Sequence, residues 1–203
     1  AGGIDILTGG AGIDTADYSG ATNSVVVSLA AGEASADGYG GTDTLVQIEN
    51  ITGSSHDDTI IGNGIANVLN AGSGNDVVSG GAGSDTLDGG LGNDELRFDD
   101  LLGAGITLDM SAGTAFYSVD SSTDSFSNFE TYYTTGQGDT IIGSASADEV
   151  FGLAGNDTFT ASLGADILNG GADNDTIDYS GFAAGNFISV TLNGANPVTV
   201  TVN

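Results

Sequence analysis

The chain has no cysteine, one basic residue (Arg97) among 203, one histidine and no long apolar run, and each absence removes a class of explanation. Without cysteine no disulfide can hold the fold, which leaves metal ions or stacking as its source of stability. A single Lys or Arg cannot neutralise a row of phosphates, so nucleic acid is excluded as a partner. No stretch reaches the roughly 18 apolar residues of a membrane-spanning helix, so no membrane span is expected. The first residues, Ala1-Gly2-Gly3-Ile4, lack the basic start and apolar core of a signal peptide, so any export signal is expected elsewhere. Catalysis also has little to work with. The one histidine, His56, lies beside Asp57 and Asp58 with no nucleophile turn nearby. An aromatic content of 7% argues for no cleft around a carboxylate pair. No enzymatic activity is expected.

What the chain does have is 28 Asp and Glu, a formal net charge of -27, and 35 glycines, a composition that on its own favours an unfolded chain. Yet 39% of the residues are hydrophobic. A chain of this kind folds when a counter-ion sits among its carboxylates, and Ca²⁺ is the natural match for oxygen-only ligands.

Self-similarity has a period of nine: Gly80-Gly81-Ala82-Gly83-Ser84-Asp85-Thr86-Leu87-Asp88 is followed at once by Gly89-Gly90-Leu91-Gly92-Asn93-Asp94-Glu95-Leu96-Arg97. In this frame position six is Asp5, Asp14, Asp58, Asn67, Asp76, Asp85, Asp94, Asp139, Asp148, Asp157, Asp166 and Asp175. Two residues after each stands an apolar side chain: Leu7, Ala16, Ile60, Leu69, Val78, Leu87, Leu96, Ile141, Val150, Phe159, Leu168 and Ile177. Random placement would produce that run about once in 10⁵ trials.

Each part of the unit has a physical task. Glycines such as Gly72, Gly74, Gly81, Gly83, Gly90, Gly92, Gly155, Gly164 and Gly171 permit positive φ, so the backbone can turn its carbonyls towards one point. The Asp at position six adds a carboxylate to the same point, and the two kinds of oxygen together make a candidate Ca²⁺ site. Positions seven to nine are extended, and position eight faces inward. One nonapeptide cannot bury that side chain alone, so repeats must stack, bringing rows of Asp together. Folding is therefore expected to depend on calcium.

The unit resembles the Gly-Gly-x-Gly-x-Asp-x-apolar-x nonapeptide of RTX, or haemolysin-type, calcium-binding repeat proteins. The repeats starting at Gly9, Ala71, Gly80, Gly89 and Gly170 carry the resemblance most closely, with Gly152 one glycine short. The resemblance implies an all-β, right-handed parallel β-roll in which the loops of repeats n and n+2 clamp calcium. It also implies type I secretion as an unfolded chain that folds on meeting external calcium. The leading clamps join the Asp76 loop to the Asp94 loop and the Asp157 loop to the Asp175 loop, followed by the Asp166 and Asp85 loops. About six to ten ions are expected in all. Repeats starting at Gly53, Gly62, Thr134 and Gly143 depart from the unit, with His56, Ile65, Gln137 and Ser146 where position four has glycine.

A longer period overlies the short one: Gly32, Glu49, Asp58 and Asp94 recur 81 residues later as Gly113, Glu130, Asp139 and Asp175. The chain reads as one continuous array over 1–203. Repeats occupy 1–17, an insert 18–52, repeats 53–97, an insert 98–133, repeats 134–178, and a further insert starts at 179–203. The inserts are expected to form longer, metal-poor rungs. Strands are expected at Val25–Leu29, Leu45–Ile51, Ile106–Met110, Phe126–Tyr132, Phe187–Leu192 and Val198–Val202. Asp37, Asp99, Asp100, Asp109 and Asp120 are expected to be solvated acids. Both ends cut through modules, so a fragment of a longer repetitive protein is expected.

The favoured function is a calcium-rigidified structural segment of a large secreted or cell-surface bacterial protein, such as an S-layer protein or adhesin. The alternative is the C-terminal calcium-binding secretion and folding domain of a secreted protease, lipase or epimerase. Partners beyond calcium would be neighbouring copies in a surface array or cell-surface polysaccharide. No regular threonine file at position three supports ice binding.

Overall fold

The last three residues of each repeat form a short strand whose central residue points inward, and that side chain has nowhere to be buried except against other repeats. The computed structural model describes residues 2–181 and 198–201, the last four by their backbone alone. Among the described residues there is no helix, and the strands form two sheets, one of ten strands and one of eleven. Successive repeats visit the sheets alternately. Thr59–Asn63, Val77–Gly81 and Glu95–Arg97 join the first sheet, while Val68–Asn70 and Thr86–Asp88 join the second.

Two nonapeptides therefore make one turn of a parallel β-roll, and strands pair in register with those one turn away. Ile60 is the partner of Val78, Val78 of Leu96, Leu69 of Leu87, and Ile141 of Phe159. Position eight of both sheets meets in one core. Ile60, Leu69, Val78, Leu87, Leu96, Ile141, Val150 and Phe159 are all fully buried there. Burying such a side chain is worth about 1.5–3 kcal/mol, and only stacking provides the burial.

The inserts differ from the longer rungs expected of them. In the first, Val26–Ser28 pairs parallel with Thr59–Asn63, then antiparallel with Glu33–Ala36. That strand in turn pairs antiparallel with Asp43–Val46, which lies parallel to Ile6–Thr8. The insert is thus a three-stranded meander slotted into a parallel sheet. In the second, Ile106–Asp109, Thr114–Tyr117 and Ser122–Ser127 repeat this arrangement, but in the other sheet. The two meanders face opposite ways because an odd number of half-turns separates them.

The continuous strands expected over Leu45–Ile51 and Phe126–Tyr132 are each broken into two. Asp43–Val46 and Asn50–Thr52 lie in different sheets, as do Ser122–Ser127 and Thr131–Tyr133. The corner is turned at Gln47 and Asn128, which hold φ of 54° and 60°. Val198–Thr201 extends the second sheet beside Asp175–Asp178. The strand expected at Phe187–Leu192 lies outside the described residues.

Candidate metal centre

Position six lies at the corner where the loop enters its strand. Stacking places equivalent corners one sheet spacing apart, about 4.8 Å. One carboxylate oxygen does structural work there: the N–H of each corner residue donates to Oδ1 of the corner residue a turn later. These bonds run from Asp58 to Asp76 and from Asp76 to Asp94, at 2.7 and 2.8 Å. Asn67 bonds Asp85, Asp139 bonds Asp157, Asp148 bonds Asp166, and Asp157 bonds Asp175 in the same way. Where an insert interrupts the stack, Asp5, Asp14, Asp85 and Asp94 donate instead to Asp43, Glu49, Asp124 and Glu130.

Ten of the twelve loops leading to these corners fall into two kinds. In the repeats starting at Gly9, Ala71, Gly80, Gly89, Gly152 and Gly170, positions two and four both hold positive φ. Gly81 and Gly83 (φ 84° and 117°) illustrate why glycine serves there: a Cβ on Gly81 would strike the Asn63 carbonyl, and one on Gly83 the backbone at Ile65. Leu153 and Asp173 hold the same left-handed conformation without being glycine. In five of these six loops the second carboxylate oxygen is buried and has no partner: Oδ2 of Asp14, Asp76, Asp85, Asp94 and Asp157.

The repeats starting at Gly53, Thr134, Gly143 and Ala161 are of the second kind. Neither position two nor position four has positive φ, and this includes Gly164. Position two is Ser or Thr, and its hydroxyl donates to the corner carboxylate: Ser54 to Asp58 and Thr135 to Asp139, both at 2.8 Å. Ser144 donates to Asp148 at 2.6 Å and Ser162 to Asp166 at 2.7 Å. The N–H groups of Ser54 and Thr135 add a second donor to the same side chains. Asn67, the amide among the corner acids, accepts the N–H of Asn63.

Burial pushes several corner carboxyls up from their ordinary range, and neighbouring carboxylates add to the effect. Asp85 and Asp157 rise to about 7, and Asp76 and Asp124 to about 6. Burial also raises Asp94 and Asp139, although the hydroxyl and amide donors around Asp139 oppose the rise.

An unpartnered buried carboxylate oxygen, in a loop whose glycines keep the space beside it open, fits a hard cation. On Gly80 a Cβ would collide with Oδ2 of Asp85, and on Gly152 with Oδ2 of Asp157. Among the described residues no three acidic, histidine or cysteine side chains converge on one point. Any cation held at a corner therefore needs further oxygen ligands besides carboxylates, and the left-handed loops are the kind able to turn backbone carbonyls towards it.

Of the acids expected to be solvated, Asp99, Asp100 and Asp120 are exposed and Asp109 is half-buried, whereas Asp37 is buried. Asp37 is 1% exposed, and its Oδ1 accepts the N–H groups of Tyr39 and Gly41, closing the turn of the first meander. Asp99 pairs with Arg97, whose guanidinium lies 4.5 Å from the centre of the Tyr133 ring. Asp100 accepts the Ser79 hydroxyl, Asp109 the Ser111 hydroxyl and Asp120 the Ser122 N–H. His56 is exposed, with the Ser55 hydroxyl 3.5 Å from its Nδ1.

The RTX calcium-binding nonapeptide repeat matches the chain in four copies, over residues 1–17, 61–96, 133–168 and 151–182, about half its length in all. No curated protein matches it.

Proposed function

Because the chain belongs to the RTX calcium-binding nonapeptide repeat family, we propose that this calcium-binding roll is a structural segment of a large secreted bacterial protein, stiffened by calcium at the cell surface. The observation that carries the reading is the set of buried, unpartnered Oδ2 atoms on Asp14, Asp76, Asp85, Asp94 and Asp157. Such atoms are costly in an ion-free roll and become ligands once a cation is present. The residues that would hold calcium are these aspartates and Asp175, with carbonyls of the left-handed loops around them. Bound calcium supplies a divalent positive charge opposite carboxylates that otherwise repel one another.

The setting follows from the charge. A chain of net charge -27 stays extended where calcium is scarce and closes where it is millimolar, as it is outside cells. Type I secretion of the unfolded chain suits that behaviour. The 81-residue recurrence, with a meander in each module, supports an extended array over an appendage to an enzyme. Neighbouring copies and cell-surface polysaccharide are the partners such an array would meet.

Calcium titration followed by far-UV circular dichroism tests this, with EDTA reversal and a magnesium control. A cooperative coil-to-β transition, reversed by EDTA and weak with magnesium, is expected. A β spectrum indifferent to EDTA would show that the apolar core suffices and would overturn the reading.

A further inference from the structure

We propose that position two of each repeat decides whether its corner takes an ion: glycine, or a residue held left-handed, makes a calcium corner, whereas Ser or Thr makes a corner that needs no metal. The inference rests on the calcium reading above and divides ten of the twelve position-six residues, which the repeat pattern alone treats alike.

The division follows the partners of one atom. Where position two is Gly72, Gly81, Gly90 or Leu153, Oδ2 of the corner aspartate has no partner, and Asp76, Asp85, Asp94 and Asp157 are each only 1–2% exposed. Where position two is Ser54, Thr135, Ser144 or Ser162, its hydroxyl donates to the corner carboxylate. In three of these loops the same hydroxyl accepts the N–H of position four, from His56, Gln137 and Ser146. The hydroxyl thus ties the loop shut from inside. It satisfies the buried acid and removes the left-handed residues that distinguish the open loops, so a cation would have to displace donors already in place.

Placement gives two of the capped corners a purpose. Asp58 and Asp139 are the first corners after the two meanders, and their Oδ1 atoms accept the N–H of Val25 and of Ile106, the residues at the start of each meander. Two of the four metal-free corners thus hold the first residue of a meander. Open corners stack on each other as Asp76 on Asp94 and Asp157 on Asp175. By this rule Asp58, Asp139, Asp148 and Asp166 leave the set of calcium ligands.

The test counts calcium bound per chain by equilibrium dialysis at saturating calcium, with circular dichroism as the check on folding. Ser54→Gly/His56→Gly recreates the open loop above the existing open loop at Asp76 and is expected to add about one ion. Asp157→Asn is expected to lower the count and Asp148→Asn to leave it unchanged. A gain cannot arise from misfolding. No added ion in the double variant, or equal losses from the two Asn variants, overturns the rule while the calcium reading stands. A native chain that binds no calcium overturns both.

Discussion

The backbone amide of Asp76 donates to Oδ1 of Asp94 at 2.8 Å, while Oδ2 of both residues is buried without a partner. One oxygen of each carboxylate therefore belongs to the fold and the other is free for an ion. This division explains how a corner acid can be both a structural element and a ligand.

Replacing Asp94 by Ala leaves the buried N–H of Asp76 without its acceptor and removes one candidate ligand. In saturating calcium the variant is expected to lose about 1–3 kcal/mol from the amide alone, read as a lower urea midpoint. Asp57→Ala provides the comparison. Asp57 accepts the N–H of Asn75 in a bond between turns that runs in the opposite sense and is exposed, so that water can replace it. Equal losses in the two variants would refute the special role of the corner.

The raised carboxyls set the pH response of the calcium-free chain. In the roll Asp85 and Asp157 titrate near 7 and Asp76 and Asp124 near 6, against an ordinary value of 3.8. Between those limits the folded chain binds more protons than the unfolded one, so its stability rises as pH falls. The gain is complete below the ordinary carboxyl range and is lost as pH climbs through 6 to 7. In EDTA, β signal is expected to increase from pH 8 to pH 5, the reverse of common acid unfolding. A calcium-free chain that loses β structure over that interval would contradict the burial of these groups.

The roll, its apolar column and its corner acids are legible in the nine-residue register, because one geometric task recurs at each position. The meanders are harder to see. Glu33–Ala36 has no β-branched residue and no strong alternation, and it is a strand because it has a partner on each side. Glu49 and Glu130 stand out in the sequence only as a long-period coincidence, since a longer side chain reaching a corner amide breaks the repeat pattern it completes. Ser162 is equally well hidden. Gly164 makes its loop resemble the unit, and only the hydroxyl bonded to Asp166 shows the difference.

Gln47 and Asn128 are 81 residues apart, turn equivalent corners between the sheets, and share left-handed φ of 54° and 60°. Asn tolerates that conformation because its short amide can bond locally, whereas Gln bears the full steric cost of its Cβ, about 1 kcal/mol. The second module thus carries the better residue for the same corner. Gln47→Asn is expected to stabilise the calcium-loaded chain by roughly 0.5–1 kcal/mol, and Asn128→Gln to destabilise it by a similar amount. Both shifts can be read from urea midpoints at fixed calcium. Two variants that move in the same direction would mean that the corner is held by its neighbours and that the preference of the residue itself counts for little.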